Sequence, residues 1–203
     1  MWKNQSFKNK VWVTSALLLV TAFAAPFFFQ KIEDRNGVIL NDVVLKHLPA
    51  YNLSILIFAL IWLMFFISII RAIQSPVFFI TFIIGYLLLN LSRFITILLV
   101  PLDPPQGIIE LADPLTSIFY GNQFVTKDLF YSGHVSTLLL MSFCYQKKFD
   151  RILGYLSSVI VAVSLLIQHV HYTIDVIAAP VFGWLIYQLA KKIALNNQNA
   201  SPN

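Results

Sequence analysis

Six apolar runs, at roughly 11–30, 52–70, 77–99, 129–146, 152–169 and 174–191, alternate with short polar breaks along the chain. Each run is near or above the roughly 20 residues that a helix needs to cross a bilayer. The breaks hold most of the charge, in KIEDRNG, RAIQSP, PLDPPQG, QKKFDR, QHVHYT and KKIALNNQ. This pattern predicts an all-α polytopic membrane protein: a six-transmembrane-helix bundle in one domain over 1–203. Runs four to six are close to minimum length and joined by short hairpins, which predicts neighbouring helices. No internal repeat is visible, and 193–203 reads as a flexible polar tail.

Composition agrees, since 11% of the 203 residues are charged, against about 25% in a soluble domain. The net charge of +5 does not point to nucleic acid, because the basic residues form no single polar cluster. Their distribution fits topology instead. Lys3, Lys8, Lys10, Arg71, Lys147, Lys148, Arg151, Lys191 and Lys192 fall on one side, and Lys31, Arg35, Lys46 and Lys127 on the other. An excess of Lys and Arg marks the cytoplasmic face, so both termini are expected to be cytoplasmic. The lone Cys144 excludes an intrachain disulfide. The first run resembles a signal peptide with an Ala-x-Ala site at Ala22–Ala24, but it continues through Phe29. That is too long for the usual apolar core of a signal, so a retained first helix is expected.

Ionisable side chains inside a membrane are costly and mark functional sites by default. Arg93 and His134 are each expected roughly 10 Å below the extracytoplasmic surface, counting 1.5 Å per residue. His171 should lie at the mouth of the last helix, with Asp175 one turn further in. All four can meet in a pocket open to that side. In KDLFYSGHVST, Asp128 is placed to cap a helix, and Ser132–Gly133 bring backbone amides close to an anion. In HYTID, the spacing of four stacks His171 and Asp175 on one face. A carboxylate there fixes one imidazole nitrogen and leaves the other for attack.

The segments DLFYSGH and HYTIDV resemble those of the sphingomyelin synthase family, a branch of the type 2 phosphatidic acid phosphatase superfamily. Asp128, Ser132, Gly133 and His134 match the first motif; His171, Tyr172, Thr173, Asp175 and Val176 match the second. RFITILLVPLDPP is similar to the family's third-helix segment, with Arg93 and Thr96 corresponding. The resemblance covers about 88–180 and implies a site facing the extracytoplasmic side, phospholipid or sphingolipid substrates, and no metal or other cofactor. His134, His171 and Asp175 would be catalytic; Arg93, Asp128, Ser132, Gly133 and Tyr172 would bind substrate.

Departures refine this expectation. Val135 replaces the family's Thr, Thr126–Lys127 replace its Cys-Gly, and Ser164–Leu165 lack the Arg of the wider phosphatases. A phosphate dianion calls for several cationic donors, whereas one deep arginine suits a singly charged phosphodiester. Headgroup transfer between lipids is therefore favoured over phosphate-monoester hydrolysis, with a lipid phosphate phosphatase as the alternative. A transporter with a His/Asp proton relay is a reading of another class, opposed by the absence of a polar trail across helices four to six. His169 is expected to face water, and Asp42 to be structural. Glu110 and Asp113 are expected in solvated loop or in an interfacial lid over 108–119. Oligomeric state has no signature in the sequence.

Overall fold

The computed structural model describes residues 1–111 and 125–196, with seven helices among them. They are α1 (Gln5–Glu33), α2 (Val43–His47), α3 (Ser54–Gln74), α4 (Pro76–Leu99), α5 (Gly133–Cys144), α6 (Lys148–Ile167) and α7 (Thr173–Leu195). Five of these, α1, α3, α4, α6 and α7, are long and apolar enough to cross a membrane. The chain is thus all-helical and suited to multiple membrane passes. A parallel bridge between Val38 and Leu102 is the only extended pairing among the described residues. The tail beyond 196 lies outside them, as does Asp113 with most of the 108–119 stretch.

Local chemistry sets the helix ends. Asn4 caps α1 by accepting from the Phe7 amide. Ser75 closes α3 and opens α4, its side chain accepting from the Phe78 amide, with Pro76 at the first helical position. There a missing N–H breaks no helical bond, so α3 and α4 form a hairpin through one residue. α1 packs mainly on α4. Trp12, Phe23 and Phe27 on its other faces are about three-quarters exposed, as a lipid-facing surface requires.

The fourth predicted span folds differently from expectation. It becomes α5, only 12 residues long and so about 18 Å at 1.5 Å per residue, short of a hydrocarbon core of about 30 Å. The helix starts late because Ser132 takes the N-cap position, its side chain accepting from the Val135 amide. Asp128, expected as the cap, is engaged elsewhere. The preceding stretch is non-helical, and other parts of the fold satisfy its backbone. Phe130 N–H donates to Asp175 Oδ1 at 3.2 Å, and its carbonyl accepts from Thr96 Oγ1 at 3.0 Å. Ser132 N–H donates to the Asp175 carbonyl at 3.0 Å. Irregular backbone within a membrane bundle persists only where protein supplies such partners.

α5 is the hub, with Val135, Leu138, Leu139, Leu140 and Met141 buried against α3, α4, α6 and α7. The three C-terminal helices are therefore neighbours through α5: α6 leans on α3, and α7 on α4. Lys10 Nζ donates to the Ile193 and Ala194 carbonyls at 2.8 and 3.3 Å, bringing the starts and ends of the chain's helices together. Gln146 donates to Ser75 at 3.1 Å at this same termini end. The opposite, histidine end gathers the other connections: Lys127 meets Asp103 at 3.0 Å, and Thr173 N–H donates to Asp42 at 2.6 Å.

Candidate active site

His171 lies in the turn before α7, buried, and Asp175 occupies the third position of that helix, fully buried. His171 Nδ1 is 3.2 Å from Asp175 Oδ2. The same oxygen accepts from Tyr172 N–H at 3.1 Å, while Oδ1 takes Phe130 N–H. The carboxylate therefore orients the imidazole through Nδ1 and leaves Nε2 as the nitrogen available for chemistry. It also fastens the 130–132 segment to α7, a role that spacing alone does not reveal.

His134 stands in the first turn of α5, not six residues into a helix as the apolar run implies. Its ring faces that of His171, with centroids 6.4 Å apart at 64°, and Phe58 of α3 meets it edge-on at 6.3 Å. Helix α4 brings Arg93 to the same place. Its Nη2 donates to Asp128, and its guanidinium passes over Gly133, where an added Cβ would collide with Nη1. Glycine at 133 is thus what admits the arginine. Arg93 Nε is buried and has no hydrogen-bond partner among the described residues.

Charge at this site is closely balanced. Burial raises the Asp128 carboxyl, but the adjacent Arg93 charge and hydrogen bond, with His171 and His134 nearby, outweigh it and hold the group below the usual carboxylate range. Arg93 is matched by Asp128, and the Asp175 carboxylate is engaged by His171 Nδ1 and the Phe130 and Tyr172 amides. The start of α5 also has less to offer an anion than expected, since Ser132 N–H and Val135 N–H are engaged. Among the described residues, no three His, Cys, Asp or Glu side chains group as metal ligands would.

Residues 127–192 match the family model described as PAP2 superfamily C-terminal. The match supports the type 2 phosphatidic acid phosphatase superfamily. Superfamily resemblance at this level supports a membrane lipid phosphatase or phosphotransferase. The matched region contains both histidines, Asp128, Ser132, Gly133, Tyr172 and Asp175, whereas Arg93 lies before it. No curated protein and no solved structure matches the chain.

Other residues frame the site. Tyr172 is buried, its hydroxyl donating to the Asp103 carbonyl at 2.9 Å and accepting from Leu40 N–H at 3.2 Å, so it braces two loops. Asp42 caps α2 and takes both the Thr173 amide and hydroxyl, a structural part as expected. Thr126 and Lys127, which depart from the family pattern, have their amides and the Thr126 hydroxyl on Glu33 at 2.7 Å. Glu33 at the end of α1 was not singled out by sequence, because one acidic residue in a charged loop carries no periodic signal. His169 corrects the expectation of a water-facing side chain: it is only 8% exposed, its ring held between two loops.

Proposed function

We propose that the protein transfers a phospholipid headgroup to a lipid hydroxyl through a phosphohistidine on His171. The observation that carries this reading is the facing pair of imidazoles, one held by a buried carboxylate, beside an arginine already paired with Asp128. A site so nearly neutral suits a singly charged phosphodiester better than a phosphate dianion. His171 Nε2 attacks phosphorus and forms the N–P bond while the P–O bond to the departing lipid alcohol breaks. Protonated His134 gives its proton to that oxygen. The acceptor hydroxyl then loses its proton to His134 and attacks phosphorus, and the N–P bond breaks. Arg93 Nε, lacking an internal partner among the described residues, is suited to a phosphoryl oxygen whose charge grows in the transition state. The nine-to-four split of Lys and Arg supports a histidine end facing the extracytoplasmic side.

Purified protein supplied with headgroup-labelled phosphatidylcholine or phosphatidylethanolamine should move label into a new lipid product only when ceramide, or a diacylglycerol of different chain length from the donor, is present. An acid-labile, base-stable label on the protein, absent from His171→Ala, is the expected intermediate. Label released only in water-soluble form, whatever acceptor is added, would make the protein a hydrolase of the same superfamily.

A further inference from the structure

His169 ends α6 in an unusual way for a residue with a side chain. Its φ is +56°, a left-handed conformation that favours glycine. The backbone closes with His169 N–H donating to the Leu166 carbonyl and Val170 N–H to the Leu165 carbonyl, both at 3.0 Å. Glycine is the residue that this helix end normally selects. The histidine ring has work of its own: Nδ1 lies 2.9 Å from the Gln106 carbonyl and Nε2 lies 3.0 Å from the Leu48 carbonyl. A carbonyl only accepts, so each nitrogen must donate. A neutral imidazole has one N–H; only the imidazolium has two.

Both tied segments belong to the frame of the site. Leu48 closes α2, which starts from Asp42, the residue holding Thr173. Gln106 follows Asp103, whose carbonyl accepts from Tyr172. Neighbouring Gln168 reinforces the junction, accepting from Leu53 N–H at 2.9 Å and donating to the Glu110 carbonyl at 3.0 Å. Gly107, with φ +77°, passes so near that a Cβ there would lie 3.4 Å from His169 Nδ1. The titratable groups on these packed segments are Lys46, His47 and Tyr51 on one side and Asp103 and Glu110 on the other. The recorded partners of the ring itself are the two carbonyls.

We infer that His169 is a positioning residue: as an imidazolium it ties the loops at Leu48 and Gln106 to the turn that carries His171 two residues on. What the positioning serves rests on the proposed reaction; the tie itself does not. Misplacing a reacting group by about 1 Å can cost on the order of 100-fold in rate, so an effect of about tenfold on kcat is expected from losing both ties.

The test uses the full chain with His169→Gly and His169→Asn, both compatible with a left-handed backbone and neither able to span the two carbonyls. The probes are vesicles of headgroup-labelled phosphatidylcholine and phosphatidylethanolamine with ceramide as acceptor. Both variants should lose about tenfold in kcat with KM little changed, and amide exchange over 48–53 and 104–109 should quicken. A purely conformational role predicts that His169→Gly equals or improves on wild type, and wild-type kcat with unchanged exchange would overturn the inference. If the wild type acts on neither probe while His171→Ala shows the same silence, the proposed reaction fails, and the exchange comparison decides the tie by itself.

Discussion

At the termini end, Arg71 of α3 donates to Asp150 of α6 at 2.6 and 3.2 Å. Beside it the Tyr145 hydroxyl shares a hydrogen bond with Ser68 at 2.7 Å and donates to the Met64 carbonyl at 3.1 Å. These contacts join helices to one another. At the histidine end, polar side chains instead hold irregular backbone: Asp175 takes Phe130 and Tyr172, Asp42 takes Thr173, and Glu33 takes Thr126 and Lys127. The first arrangement adds stability to a bundle that apolar packing already specifies. The second fixes the conformation of segments that have no helix to shape them: His171 lies on one, and another leads directly into His134 in the first turn of α5. Substitutions at the two ends should accordingly register in different measurements.

The widest separation is expected from His134→Ala and His171→Ala. Each should lower turnover by several hundred-fold or more, within the roughly 10²–10⁴ associated with a positioned acid–base group. The double variant should be little worse than either single one, because the two act as a unit. Thermal stability in detergent should be nearly unchanged, and a comparable loss of turnover from a substitution at the termini end would break the comparison.

Asp175→Ala should move both readouts. Turnover falls with the loss of the oriented imidazole, and the Phe130 and Tyr172 amides lose their acceptor. At about 1–3 kcal/mol for each buried group left unsatisfied, the destabilisation from the two amides should reach roughly 2–6 kcal/mol in denaturant melts. Stability unaffected by this change would remove Asp175 from the architecture of the site.

Gly133→Ala sharpens the contrast more gently. The new methyl meets the far end of Arg93, which can shift, so stability should hold while turnover drops about tenfold through misplaced charge. At the termini end, Tyr145→Phe should do the reverse. Its lost hydroxyl bonds remove about 1 kcal/mol with activity per folded molecule unchanged, as denaturation and initial-rate measurements on one sample would report.

The smallest effect concerns acid. The Lys127 hydrogen bond holds the Asp103 carboxyl below its ordinary range. Burial raises Asp42, but its bonds from Thr173, Leu45 and Val44 bring it lower overall. A carboxyl depressed in the folded state contributes stability fully above its unfolded value, about pH 3.9, and loses it as pH falls through the folded value. Amide exchange around 103 and 173 should therefore accelerate on acidification below about pH 4. Uniform acceleration across both ends would deny these carboxylates a local role.

Much of this was legible in the sequence because lipid imposes a simple rule: long apolar runs must become helices, and their polar interruptions must be loops. Five helices follow that rule. The candidate site was legible for a related reason: ionisable groups such as His134, His171 and Asp175 are costly in an apolar chain, and the structure brings these three together. The apolar run over 129–146 shows the limit. Composition cannot distinguish residues that face lipid from residues that face other helices, so a short buried hub helix reads as a full-length one. Asp128 likewise has the sequence context of a helix cap, yet its partner is Arg93, 35 residues away.

By itself, the sequence determined the class of protein, most of its helices and which ionisable residues its apolar stretches hold, because hydropathy and ionisation cost are properties of each residue. Only the tertiary structure decided what those residues meet. It brought the two imidazoles within 6.4 Å of each other, matched Arg93 with Asp128 over Gly133, and drew His169 out of water between Leu48 and Gln106. Each of these depends on groups distant in the chain occupying one small volume, and local periodicity carries no record of which loops will converge there.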